Sequence, residues 1–336
     1  MGGVSKAMVL VGPGELALEA RPAPTPATGE AVVRLRATSV NFHDLIGVKG
    51  GLRGLPLPRV PFSDGCGEVV AVGEGVKRVK PGDRVIPNFF VKWIAGPPTP
   101  EALALVYGDQ LDGCLQTHAR MSADSLVLAP EHLSDAQAAT LGCAGVTAWR
   151  SLREAQVKAG DTVVVQGTGG VSLYALTLAK ALGAQVIATS SSDAKLERCR
   201  RLGADETVNY ATSPEWSRRV LEITGRRGAD HILDVGGQQT LPQSLKAVRL
   251  GGAISVIGVL TGAEAAEVPV RTVMSKNLRI GGVTVGSRMD LEGLARAMSV
   301  NRLEPVLDSE VALEDVPDAL QRMERQGHFG KIVVRL

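Results

Sequence analysis

Cysteine is sparse in this 336-residue chain, and the four present, Cys66, Cys114, Cys143 and Cys199, stand far apart with no C-x-x-C pair. That spacing excludes a disulfide framework and a four-cysteine zinc lobe, and it makes a reducing cytoplasm the expected compartment. No stretch of about eighteen uninterrupted apolar residues occurs, so no membrane span is expected. Met1 to Leu10 lacks the charged start and long apolar run of a secretory signal. Charge of one sign is also missing, with 37 Lys+Arg against 35 Asp+Glu. Such a balance gives no support for a nucleic-acid surface, although one local phosphate pocket is compatible with it. Aromatic residues make up only 3% of the chain, whereas glycine is abundant at 39 residues. An α/β protein with many tight strand–helix turns has that composition. At 44% hydrophobic, the chain can fill two cores.

The first 125 residues read as β-rich and turn-rich. Ala31 to Ala37 alternates like a half-buried strand, Glu68 to Val72 is a second, and Pro81-Gly82-Asp83 turns the chain into Arg84-Val85-Ile86. Between Asn88 and Gln116 lies an excursion broken by Pro and Gly, with Trp93 and a short helical stretch from Pro100 to Val106. It reads either as a surface loop or as a flap carrying binding groups. From Ser134 the pattern becomes helical, and from Thr162 strands and glycine-stopped helices alternate as far as Leu278–Val285. Strands this apolar on both faces predict a doubly wound parallel sheet over 126–285. Residues 286–336 break the alternation and are expected to return to the first domain, leaving 1–125 and 286–336 as one discontinuous domain.

A dinucleotide site is expected where Val163-Val164-Val165 runs through Gln166 into Gly167-Thr168-Gly169-Gly170-Val171-Ser172 and a helix begins. Glycines there permit a tight turn and close approach of backbone to a phosphate pair. The helix's positive end then faces that anion. Ser172 stands where the G-x-G-x-x-G fingerprint has its last glycine. After the next strand, the acid that grips ribose hydroxyls in NAD sites is replaced by Ser190, with Lys195 a little further on. Hydroxyls and a lysine suit a 2′-phosphate, so NADPH is the expected cofactor; Asp193 is the residue that speaks for NADH. Asp234-Val235-Gly236-Gly237 and Ser255-Val256-Ile257-Gly258-Val259 end two later strands in glycine, at the sheet margin where ligands bind, and ordinary turn chemistry would use the same residues.

Assembled, these segments resemble the medium-chain dehydrogenase/reductase superfamily, in particular its zinc-independent, zeta-crystallin-like quinone oxidoreductase branch. The resemblance rests on Asn41-Phe42-His43-Asp44-Leu45, Gly73-Glu74-Gly75-Val76, Lys80-Pro81-Gly82-Asp83-Arg84-Val85, Cys143-Ala144-Gly145-Val146-Thr147-Ala148-Trp149, the glycine turn, Leu202-Gly203-Ala204-Asp205 and Gly330-Lys331-Ile332-Val333. It implies a GroES-like β-rich domain beside a Rossmann domain. It also implies Tyr210 beside the adenosine phosphate, Thr147 near the nicotinamide, Lys331 on the pyrophosphate and a homodimer through the 278–285 edge strand. Zinc enzymes of the superfamily place Cys, His and Cys where this chain has Asn41, Ser63 and Cys143. One thiolate does not make a catalytic zinc site, so no metal is expected.

A site without a metal suits an acceptor that delocalises its own charge, which points to a quinone or a conjugated carbonyl. Asn41 is expected to donate a hydrogen bond to the substrate oxygen. His43 is either a proton donor or a structural residue. Asp44, Ile46 and Trp93 are expected around the substrate, Asp44 chiefly as a brace for the loop. Two other readings stand beside this one: a zinc-type alcohol dehydrogenase, and an NADPH-binding protein without physiological turnover.

Overall fold

The first 146 residues form strands β1 (Val4–Gly12), β2 (Glu15–Pro22), β3 (Glu30–Ser39), β4 (Cys66–Val72), β5 (Arg84–Pro87), β6 (His118–Ser122) and β7 (Leu126–Leu128), with helices α1 (Phe42–Val48) and α2 (Asp135–Ala138). A π-helical turn, Leu141–Gly145, leads into α3 (Val146–Glu154). Strands and helices then alternate: β8 (Thr162–Gln166), α4 (Gly170–Ala181), β9 (Gln185–Ser190), α5 (Asp193–Arg201), β10 (Glu206–Asn209), α6 (Trp216–Ile223), β11 (Ala229–Asp234), α7 (Leu241–Ala247), β12 (Val248–Val256), α8 (Val270–Ser275) and β13 (Arg279–Gly282). The chain ends with α9 (Arg288–Asn301), β14 (Leu307–Ala312), α10 (Val316–Glu324) and β15 (Lys331–Arg335). This computed structural model describes residues 4–52, 54–262 and 266–336.

Two units result, Met1–Val146 with Val285–Leu336, and Thr147–Thr284. In the first, β14-β15-β3-β4-β5-β7 is the sheet order, with β6 also on β3. Strand β15 pairs antiparallel with β3, Val333 opposite Ser39, so the C-terminal strand closes a sheet begun some three hundred residues earlier. Segment 126–146 falls in this unit rather than with the parallel sheet. The reason is pairing: β7 bonds to β5, Val85 opposite Leu128, and that contact outweighs the change of periodicity at Ser134. One core lies under β1, α1, α10 and β15, and includes Val9, Leu45, Leu320 and Ile332. A second, around Val33, Val69, Val85, Tyr107 and Met121, lies under β3 to β7.

The excursion from Asn88 to Gln116 is part of this unit's packing. Val91 N donates to Leu105 O (2.9 Å) and Phe90 bridges to Val106. Pro100 to Val106 makes a single turn (Leu103 N to Thr99 O, 3.1 Å) and no helix. A Cβ at Gly108 or Gly113 would run into the backbone of Phe62, which adopts φ 74° and is fully buried. A bulky residue in the left-handed region is costly, and the bare glycine backbones that press on Phe62 hold it there.

The second unit has the sheet order β10-β9-β8-β11-β12-β13, parallel at every pairing. Counted from its first strand this is the 3-2-1-4-5-6 order of a Rossmann sheet. Helices on both faces explain why β8 and β11 are buried throughout. At the margin, β13 is exposed along its length, and Val270 and Met274 of α8 are exposed as well. No helix among the described residues is long and apolar enough to cross a membrane.

Candidate active site

In the second unit, Gly167 follows β8 with φ 73° and open space where a Cβ would project. Glycine alone adopts that conformation without strain and leaves room for an incoming phosphate. Gly169 is extended at the N-cap and α4 starts at Gly170, its first intrahelical bond running from Leu173 N to Gly169 O. The earlier N–H groups of that turn, those of Gly170, Val171 and Ser172, have no helical acceptor, and this cradle fits the pyrophosphate of a dinucleotide. Ser172, the departure from the glycine fingerprint, is buried and donates from Oγ to Gln166 O (2.6 Å). Its hydroxyl closes the turn that a third glycine closes by smallness.

Ser190, at the end of β9, aligns with Asn209 of β10, and Tyr210 N donates to Ser190 O (3.0 Å). The Ser190 side chain is buried and accepts from Ser192 N (3.3 Å), while Tyr210 is 40% exposed. Lys195 lies in the first turn of α5, its N–H on the capping Ser192 Oγ (3.4 Å). Ser190, Lys195 and Tyr210 thus gather at one sheet margin. Asp193 is held there too, accepting from Asn209 Nδ2 (2.7 Å). Gly236 and Gly258 have a packing reason of their own, since a Cβ would strike Thr240 and Val235 respectively. Val259 is exposed, and Thr147 is buried in α3.

The sequence reading missed the group that ties this margin together. Asp234, fully buried at the end of β11, accepts from Gly237 N (2.9 Å), Ser244 Oγ (2.6 Å), Gln166 Nε2 (3.3 Å) and Thr240 Oγ1. One carboxylate therefore fixes both the β11 loop and the strand end that precedes Gly167. An acid directly after the apolar pair Ile232-Leu233, at the end of β11, was the signal available.

In the first unit, Asn41 caps α1: its N–H donates to Asp44 Oδ2 (2.8 Å), while Asp44 Oδ1 accepts from Ser63 N (3.2 Å). Burial pushes the Asp44 carboxyl up to about 6, with His43 opposing and Asp64 adding to the rise. Asp44 is a brace rather than a pocket wall, as its full burial requires. Deeper still, Lys331 Nζ donates to Val40 O (2.9 Å), Asp64 Oδ2 (3.2 Å) and Asn41 Oδ1. The same Asp64 oxygen accepts from Ser39 Oγ (2.6 Å) and Asn41 Nδ2 (2.9 Å). Side-chain exposure is 3% for Lys331 and 1% for Asp64, so this is a buried ion pair.

Three expectations change here. Asn41 bridges Lys331 and Asp64, so its amide oxygen and one of its two amide hydrogens are taken within the cluster. Lys331 points its ammonium into this cluster, with all three donors taken, and not at a pyrophosphate. Trp93 is 1% exposed, donates from Nε1 to Gly96 O (3.0 Å) and packs on Phe90, which makes it core and not pocket lining. Ile46 stays half-buried on α1.

His43 is 30% exposed, and Nε2 lies 2.9 Å from Asp109 Oδ2. Phe89 meets the imidazole edge-on at 5.2 Å between centroids. Arg59 Nη1 donates to Asp109 O (3.0 Å) and steadies the carboxylate's backbone. Burial lowers the His43 pKa, but the hydrogen bond and charge of Asp109 outweigh it and the net shift is upward. No motif marks Asp109; it comes from the excursion, through chain packing alone.

These residues do not fit a catalytic zinc. Of the three positions named by resemblance, Asn41 is spent on Lys331 and Asp64, and Ser63 Oγ faces Asp44 (3.4 Å). At Cys143, burial and then Asp64 push the thiol well above its ordinary pKa, although Lys331 opposes them. Among the described residues, no group of three or more His, Cys, Asp or Glu is placed to hold a metal ion.

Comparison with known proteins agrees with both units. Residues 27–131 match the alcohol dehydrogenase GroES-like domain, and 170–299 the zinc-binding dehydrogenase family. A zinc-type alcohol dehydrogenase-like protein of Schizosaccharomyces pombe is 41% identical over 92% of this chain and 91% of its own. The acryloyl-coenzyme A reductase of Metallosphaera sedula is 28% identical, with 93% of each chain covered. A crystal structure from Sinorhizobium meliloti 1021, assigned as an alcohol dehydrogenase, superposes with a TM-score of 0.94 at 42% identity over 100% of both chains.

Proposed function

The chain belongs to the medium-chain dehydrogenase/reductase superfamily, and from that premise we propose that it is a metal-independent, NADPH-linked reductase of quinones or conjugated carbonyl compounds. One observation carries this reading: the amide that replaces the first zinc ligand is locked between Lys331 and Asp64. With no Lewis acid beside the carbonyl, the acceptor must spread the incoming negative charge itself, as a quinone or an enone does. The acryloyl thioester named for the M. sedula relative is such an acceptor. The glycine turn would hold the pyrophosphate of NADPH, which would supply a hydride, and the reduced acceptor would then need one proton. His43, protonated and held by Asp109, provides it. Ser190, Lys195 and Tyr210 select the 2′-phosphate.

The test is NADPH and NADH oxidation with a panel of quinones, enones, enoyl thioesters and aldehydes, with and without chelator. Conjugated acceptors are expected to turn over with NADPH, insensitive to chelator. Lys195→Ala is expected to cost about 10- to 100-fold in kcat/KM for NADPH and little for NADH, in keeping with one charge-assisted phosphate contact. Tight NADPH binding without turnover of any acceptor would favour a binding protein. Chelator-sensitive alcohol oxidation would favour a zinc dehydrogenase.

A second copy of the chain is proposed as the partner, docked on β13. Among the described residues the strand is the sheet's edge, and Ile280 of the strand and Val270 and Met274 of α8 are exposed, an arrangement that invites pairing. Two-fold pairing of β13 with itself would extend the sheet and cover those side chains. Ile280→Asp is expected to convert a dimer to a monomer in light scattering. An unchanged mass would remove β13 from the interface.

A further inference from the structure

We propose that the ammonium of Lys331 is the resident cation of the pocket formed by Asn41, Ser63, Asp64 and Cys143, and that its presence keeps divalent metals out. The inference deepens the metal-independent reading above and rests on it. Its first support is register. Val40 N donates to Ile332 O (2.9 Å) where β15 meets the end of β3, so the backbone itself sets Lys331 against Val40 and Asn41. An ammonium has three N–H donors, and three acceptors surround it: Val40 O, Asn41 Oδ1 and Asp64 Oδ2. The match is complete and leaves no donor for another partner.

The second support is the charge held by Asp64. Its Oδ2 accepts from Ser39, Asn41 and Lys331, and its main-chain oxygen from Thr38 Oγ1 (2.6 Å). Its Oδ1 is buried with no hydrogen-bond partner, and a Cβ on Gly142 would come within 2.9 Å of it. Gly142 directly precedes Cys143, so a carboxylate oxygen with a free lone pair faces the segment that carries a thiol. Those donors could serve a metal if the pocket lacked a cation. Lys331 removes that option in two ways. It occupies lone pairs on Asn41 and Asp64 that a metal would need, and its charge repels a second cation at close range in a poorly solvated site.

Cobalt uptake by four purified full-length proteins tests this: wild type, Asn41→Cys, Lys331→Met, and Asn41→Cys with Lys331→Met. Each is incubated with Co(II), dialysed, and examined by elemental analysis and by visible absorption for thiolate-to-cobalt charge transfer. Wild type and Asn41→Cys, which both keep the lysine, are expected to hold less than about a tenth of an equivalent, whereas the double variant should hold about one and show the charge-transfer band. Circular dichroism establishes that each variant folds, and Lys331→Gln replaces Lys331→Met should the latter not fold. Equal cobalt in Asn41→Cys with and without Lys331 would overturn the role of the lysine, and so would a folded double variant that stays empty. Either result leaves the metal-independent reading intact. One chelatable zinc per wild-type chain would instead defeat that reading, and this inference with it.

Discussion

Replacing Asp64 with alanine is expected to destabilise the protein by about 3–5 kcal/mol, the range found when one partner of a buried ion pair is removed. The reason lies in what remains. Lys331, with 3% of its side chain exposed, would keep Val40 O and Asn41 Oδ1 but lose the Asp64 carboxylate. Ser39 Oγ and Asn41 Nδ2 would lose their acceptor in the same step. Asp64→Asn keeps the shape and one acceptor oxygen, and should cost less. Removing both charges, in Asp64→Ala with Lys331→Met, should recover part of the loss, because no ammonium is then left unpaired. Urea unfolding of the wild type, the two single variants and the double variant gives the coupling energy directly. A loss below about 1 kcal/mol for Asp64→Ala would mean that the pair is solvated, as surface pairs of that strength are.

The parallel sheet was legible because its information is local. Its central strands carry short apolar runs, and α4 and α5 end at glycines, Gly183 and Gly203. Where a boundary moved, a distant residue had moved it. Helix α7 stops at Ala247, where Lys276 Nζ takes the carbonyls of Leu245 (3.0 Å), Lys246 (3.0 Å) and Val248 (2.9 Å). No reading of 241–250 alone contains that lysine. The β1–β2 hairpin went unread, and so did α1 as a helix, since seven residues give too short a window for a helical period.

The site divides in the same way. The glycine turn and the margin of Ser190, Lys195 and Tyr210 are encoded within some fifty residues and could be read in order. The cluster in the first unit is assembled from Ser39, Asn41, Asp64 and Lys331, the last arriving only when β15 pairs with β3. Resemblance supplied a role for Lys331 but not its acceptors, and those acceptors reassign it. Asn41 changes meaning for the same reason: its amide oxygen and one of its amide hydrogens are engaged by Lys331 and Asp64, so it holds the cluster together.

His43→Gln is expected to lower kcat by about 10²-fold or more, the usual contribution of a positioned general acid, with a smaller change in KM. Asp109→Asn is the more revealing variant. The groups that act on His43 are Asp109 and Asp44, which raise its pKa, and Arg59, which lowers it along with burial. With the Asp109 carboxylate in place the folded pKa stands above its unfolded value. The protonated imidazole therefore contributes stability that is fully present below the unfolded pKa of about 6.5 and is lost as pH rises through the folded value. Activity should follow the same limb, since a proton donor works only while it carries the proton. Asp109→Asn leaves burial and Arg59 opposed by Asp44 alone, so the falling limb of the kcat/KM profile should move to lower pH. A purely structural His43 gives a different outcome: thermal stability falls in both variants, while the alkaline limb stays where the wild type has it. Retention of kcat within about threefold in folded His43→Gln, far short of the usual loss of a general acid, would end its claim to proton transfer.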